Sequence, residues 1–79
     1  MTSEEIEAWL VSRIASELYV APDDVDVRTP FAELGIDSLI AMELAQELEA
    51  HLARDLPVTI LFDHPTIERL ARFLGDGGG

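Results

Sequence analysis

Ser38 is the residue of this 79-residue chain whose type and setting most invite chemistry, standing between Asp37 and Leu39 where a helical pattern begins. A hydroxyl there can cap the helix, attack a carbonyl as a nucleophile, or be esterified. The nucleophile needs a base, and His51 and His64 are the candidates. His51 lies more than three turns further along the same helix and cannot reach Ser38. His64 stands before Pro65 with no orienting partner. The motifs fail as well. Ile36 stands where the Gly-Asp-Ser-Leu hydrolases need glycine, and Ile36 and Ile40 occupy both glycine positions of a G-x-S-x-G elbow. A domain this small also has little room for a dry oxyanion hole. Hydrolysis stands only as a third reading, one that would show ester turnover dependent on Ser38.

Metal chemistry is equally poorly supported. The two histidines have no ligand cluster at a familiar spacing. Asp24-x-Asp26 has the opening of a calcium loop, but Thr29 replaces its turn glycine and Gly35 its closing glutamate, so that reading is rejected. Two other readings of Ser38 remain. Serine and aspartate are the usual N-caps, so the plain reading is a cap. The functional reading is a phosphate ester, which the positive end of a helix would tolerate beside its free N–H groups.

The helix behind Ser38 is expected over residues 38–52. At about 100° per residue, with Leu44 at zero, Ile40, Ala41, Ala45, Leu48 and Leu52 share one buried stripe. Met42 falls near ~160° and Leu39 near ~220°, on the opposite side. Two large apolar residues are thus expected to face solvent, rimmed by Glu43, Glu47 and Glu49. A greasy centre with a charged edge is the anatomy of a protein-docking surface. The alternative is that single exposed apolar residues need no explanation.

Other elements must hold this helix in place. Thr2 through Leu18 reads as a helix opened by a Thr2–Glu5 capping box, with Ile6, Leu10, Ile14 and Leu18 as its buried stripe. Trp9 falls off that stripe and is expected to cover a loop edge, with a docking role as the alternative. Residues 19–37 read as a long ordered loop, with turn chemistry at Pro22-Asp23-Asp24 and Val25, Val27, Phe31 and Leu34 as inward anchors. Val58 to Phe62, with no partner strand, is expected to form a short helix. Pro65-Thr66 opens the last helix, whose Ile67, Leu70, Ala71 and Leu74 share a face. Residues 1–75 are expected to form one domain and 76–79 a flexible glycine-rich tail.

Composition narrows the class. Sixteen acidic residues stand against five arginines, giving a net charge of −11. That excludes a nucleic-acid backbone, which needs clustered cations, and an anionic membrane surface. A protein partner with a basic face fits, steered by long-range attraction; mere solubility is the plainer reading of the charge. There is no cysteine, hence no disulfide, and 48% of the residues are apolar. A chain this short buries only about 60% of its unfolded surface, which suits a helical bundle. No apolar run approaches the roughly 20 residues of a membrane span, and the acidic start lacks signal-peptide features, so a cytoplasmic location is expected. Met1 fits a free-standing protein, although an excised domain with an added start codon would look the same.

Leu34-Gly35-Ile36-Asp37-Ser38-Leu39 resembles the L-G-x-D-S-L signature of phosphopantetheine-dependent carrier proteins. Leu56-Pro57-x-Thr59 and Phe62-Asp63-His64-Pro65-Thr66-Ile67 resemble the carboxy-terminal half of a polyketide synthase carrier domain. The resemblance implies an all-α four-helix bundle with a short third helix, acting as an acyl carrier and not as an enzyme. It implies a 4'-phosphopantetheine arm attached to Ser38, beside Asp37, by a phosphopantetheinyl transferase using coenzyme A and magnesium. Acyl cargo would ride on the arm's thiol, consistent with a chain lacking cysteine. Leu39, Met42, Glu43, Gln46 and Glu47 would then meet partner enzymes such as a ketosynthase or acyltransferase, the carrier acting as a monomer. Ala45-Gln46-Glu47 departs from the basic stretch of many polyketide carriers. Peptidyl or aryl cargo and an unmodified interaction module are the alternatives.

Overall fold

The computed structural model describes residues 1–75, which form helical segments and no strand. Helix α1 spans Ser3–Leu18 and starts at the expected capping box. The Glu5 N–H donates to Thr2 Oγ1 at 3.2 Å, and the Thr2 N–H donates to Glu5 Oε1 at 2.9 Å. That backbone hydrogen bond from Thr2 is the main reason the Glu5 carboxyl titrates below its ordinary range. Ile6, Leu10 and Ile14 are fully buried, and Leu18 is half-buried.

The connection to the next long helix is more structured than its sequence pattern suggests. It contains a 3-10 turn at Pro22–Asp24 and a one-turn helix α2 at Phe31–Leu34. One turn is too short for a periodic signature, so the residues read as loop. Val25 and Phe31 are buried, Val27 and Leu34 half-buried, and Ile36, not among the expected anchors, is also buried. Two backbone bonds tie this stretch to the last helix and the residues that lead into it. The Phe31 N–H donates to the Pro65 carbonyl at 2.8 Å, and the Glu68 N–H to the Val27 carbonyl at 3.0 Å.

Helix α3 spans Ser38–Leu52, α4 spans Ile60–Asp63, and α5 spans Ile67–Leu74. On α3 the predicted stripe is inward: Ala41, Leu44, Ala45 and Leu48 are buried, Ile40 and Leu52 half-buried. On α5 all four predicted residues are buried, and Thr66 caps the start by accepting from the Arg69 N–H at 3.1 Å. The architecture is the expected bundle of three longer helices and one short one, with α2 as an additional turn. Arg13 meets Glu47 on α3, and Trp9 meets His51. The earlier residue of α1 thus pairs with the later residue of α3, so the two helices run antiparallel. Trp9 therefore does not cover a loop edge. It stacks on His51, ring centroids 5.1 Å apart.

Gly75 belongs to the bundle. It is buried, donates to the Ala71 carbonyl at 2.8 Å, and packs against Ser3. A Cβ there would lie 2.6 Å from the Ser3 Cβ and 2.7 Å from its Cα. Because backbone must move, Gly75→Ala is expected to lower stability by about 1–3 kcal/mol, read as a lowered urea midpoint with unchanged slope. The glycine-rich tail expected over 76–79 lies outside the described residues.

Candidate functional site

The site is built from the sharp entry into α3. Gly35 closes α2 with φ +102°, a left-handed conformation that a side chain would strain. Ile36 then anchors the chain in the core, leaving Asp37 and Ser38 at the surface. Asp37, not Ser38, is the cap: its Oδ1 accepts the Ile40 N–H at 2.9 Å, and its carbonyl accepts the Ala41 N–H. The cap reading of Ser38 is thereby corrected by one residue. Both types cap well, so the sequence alone could not choose between them.

Relieved of capping, Ser38 is the first residue of α3, its side chain exposed and making no hydrogen bond among the described residues. A phosphodiester on its oxygen would sit at the positive end of a 15-residue helix. The nearest acid, Asp37, is turned back to the Ile40 N–H. The residues present therefore fit a phosphate-linked arm. Behind the site, Phe31, Ile36, Ala41, Leu61, Phe62 and Pro65 line a recess without charged walls. Neither histidine serves the hydroxyl. His51 lies about 20 Å further along the helix at ~1.5 Å per residue, and His64 stacks on Phe73 with centroids 4.0 Å apart.

Along the outward face of α3, Leu39 is 64% exposed and Met42 41%. Glu43 and Gln46 are exposed beside them. The other two rim acids are engaged elsewhere. Glu47 takes a bidentate pair from Arg13, Nε to Oε1 at 2.6 Å and Nη2 to Oε2 at 3.0 Å. Those hydrogen bonds hold the Arg13 guanidinium above its ordinary pKa. Glu49 Oε2 accepts the Leu56 N–H at 2.8 Å, pinning the chain that leaves α3. Sequence reasoning overlooked Arg13. Its one signal was that it is the sole basic side chain among the first 27 residues of an acidic chain.

An all-helical domain that displays an outward serine at a helix start, with no base in reach, suits a carried group better than catalysis. Comparison with known proteins agrees. The family model described as "Phosphopantetheine attachment site" matches residues 8–74. A phenolphthiocerol/phthiocerol polyketide synthase of Mycobacterium tuberculosis is 44% identical over 70 residues, covering 89% of this chain and 4% of that protein. Erythronolide synthase EryA3 of Saccharopolyspora erythraea is 42% identical over 76 residues, covering 95% of this chain and 2% of that protein. The chain thus spans only 2–4% of the length of these curated relatives. Among solved structures, an acyl carrier protein from Anabaena superposes with a TM-score of 0.88 at 36% identity, over 95% of this chain and 85% of that one. A free-standing peptidyl carrier protein from Acinetobacter baumannii gives 0.86 at 32% identity, over 92% and 91%. The chain belongs to the phosphopantetheine attachment family, as a carrier domain of polyketide synthase type and not a catalytic enzyme. Among the described residues, no helix is long and apolar enough to cross a membrane.

Proposed function

We propose that Ser38 is the attachment point of the phosphopantetheine arm and that the chain carries acyl intermediates of polyketide assembly between partner enzymes. One observation carries the assignment to Ser38: its hydroxyl is exposed at the first position of α3 while Asp37 does the capping. Attachment joins Ser38 Oγ to the pantetheine-bearing phosphorus of coenzyme A. The pyrophosphate bond breaks, the nucleotide half departs, and the hydroxyl proton passes to the transferase. Once bound, the arm supplies a thiol on which acyl groups ride as thioesters. The chain's own residues hold the serine outward and present Leu39, Met42, Glu43 and Gln46 to a transferase, ketosynthase or acyltransferase with a basic docking face.

Incubation with coenzyme A, magnesium and a promiscuous phosphopantetheinyl transferase should add the mass of one arm. An unchanged intact mass would sink the proposal and leave an unmodified interaction module. Peptidyl cargo is the second reading, supported by the likeness to the Acinetobacter carrier. Mass spectrometry of protein from its own host decides between them: acyl cargo supports the polyketide reading, and aminoacyl cargo overturns it.

A further inference from the structure

Helix α3 and its cap carry four carboxylates, and the fold has committed three of them. Asp37 accepts the Ile40 N–H, Glu49 accepts the Leu56 N–H, and Glu47 is held by two bonds from Arg13. Glu47 and Glu49 are half-buried, each drawn towards a neighbouring element. Glu43 is the one acid of this stretch that makes no hydrogen bond or ion pair among the described residues, and it is exposed. It lies one residue after Met42 and four after Leu39, on the half of the helix nearest Ser38.

A bidentate guanidinium–carboxylate pair is the strongest common form of side-chain ion pair. It satisfies both oxygens of Glu47 and cancels its charge at the distance where a partner's cation would sense it. We propose that Arg13 masks Glu47, so that a basic partner finds its electrostatic anchor on α3 at Glu43 alone, close to Ser38. Arg13 thereby acts as a positioning residue for partner choice: with Glu47 neutralised and Glu49 turned to the Leu56 N–H, Glu43 is the acid of α3 left free beside Leu39 and Met42 among the described residues. This inference rests on the proposed carrier function and adds which part of the docking helix the partner reads. The occupant is a protein whose cation lies beside an apolar seat for Leu39 and Met42, fitting the −11 charge of the chain.

The test measures binding of the unloaded chain to a phosphopantetheinyl transferase by calorimetry, without coenzyme A and at several salt concentrations. Glu43→Gln should weaken binding about three- to tenfold at low salt, with the difference shrinking as salt screens it. Arg13→Gln uncovers the Glu47 carboxylate and should tighten binding several-fold, again most at low salt. The double variant Arg13→Gln/Glu47→Gln removes a pair of zero net charge and should bind as the wild type does. Two results would overturn the masking: a double variant as weak as Glu43→Gln, or an Arg13→Gln variant no tighter than wild type. Thermal melts confirm that each variant is folded at the assay temperature. Loading of the wild type with coenzyme A, followed by intact mass, is run alongside. Failure there refutes the carrier function, whereas loading with the wrong binding pattern refutes only the masking.

Discussion

Ser38→Ala is expected to reduce arm attachment from complete to none while leaving the fold intact. The first half follows from chemistry, because no other hydroxyl stands at the start of α3 to accept the phosphoryl group. Ser12 and Ser16 are also exposed, but they lie inside α1, where the backbone N–H groups are already bonded within the helix. The second half follows from the division of roles between neighbours. Asp37 Oδ1 holds the Ile40 N–H, so deleting the Ser38 hydroxyl removes no hydrogen bond of the fold. Alanine is a good helix former, and the stability change should stay within about 0.5 kcal/mol. Asp37→Ala should do the converse. It costs about 1 kcal/mol as a lost cap, frays the start of α3 and slows attachment without abolishing it. Intact mass after transferase treatment, paired with urea unfolding of each variant, separates the two effects. Attachment that survives Ser38→Ala would place the arm elsewhere.

The contrast between Asp37 and Ser38 also shows what the sequence could and could not reveal. The Thr2–Glu5 box, the α3 stripe centred on Leu44 and the α5 face of Ile67, Leu70, Ala71 and Leu74 were legible because each is a local repeat or cap with a fixed spacing. Exposure of Leu39 and Met42 followed from the same period. Helix α2 left no such trace, since four residues make about one turn. Trp9 was misplaced for a different reason. Its partner His51 is 42 residues away in sequence, and only the antiparallel register of α1 against α3 brings their rings together. The acidic rim failed in the same way. Glu43, Glu47 and Glu49 all fall at the edge of the apolar spot on a helical wheel, yet Arg13 engages Glu47 and the Leu56 N–H engages Glu49. Local periodicity shows which way a side chain points; tertiary register decides what it meets there.

That distinction gives the second large effect, a reversal between two neighbours on one helix. Leu44 is 1% exposed, while Met42, two positions earlier, is 41% exposed. Leu44→Ala removes side-chain volume from the centre of the core, where Leu10, Ile14 and Leu48 are fully buried and little can collapse into the gap. Such truncations cost roughly 2–5 kcal/mol. A small domain has only about 5–15 kcal/mol in total and a bundle this short sits near the lower end, so a large share of the protein should be unfolded at modest urea. Met42→Glu places a charge where water already reaches and should shift stability by no more than about 0.5 kcal/mol. Its effect belongs to binding: a carboxylate in the middle of the apolar seat must be desolvated by any partner that covers it, so docking should weaken although the net charge moves in the partner's favour. Urea midpoints and transferase affinities measured on the same two variants should therefore rank them in opposite orders. If Met42→Glu unfolds the domain as Leu44→Ala does, the outward face of α3 is misassigned, and the docking surface beside Ser38 with it.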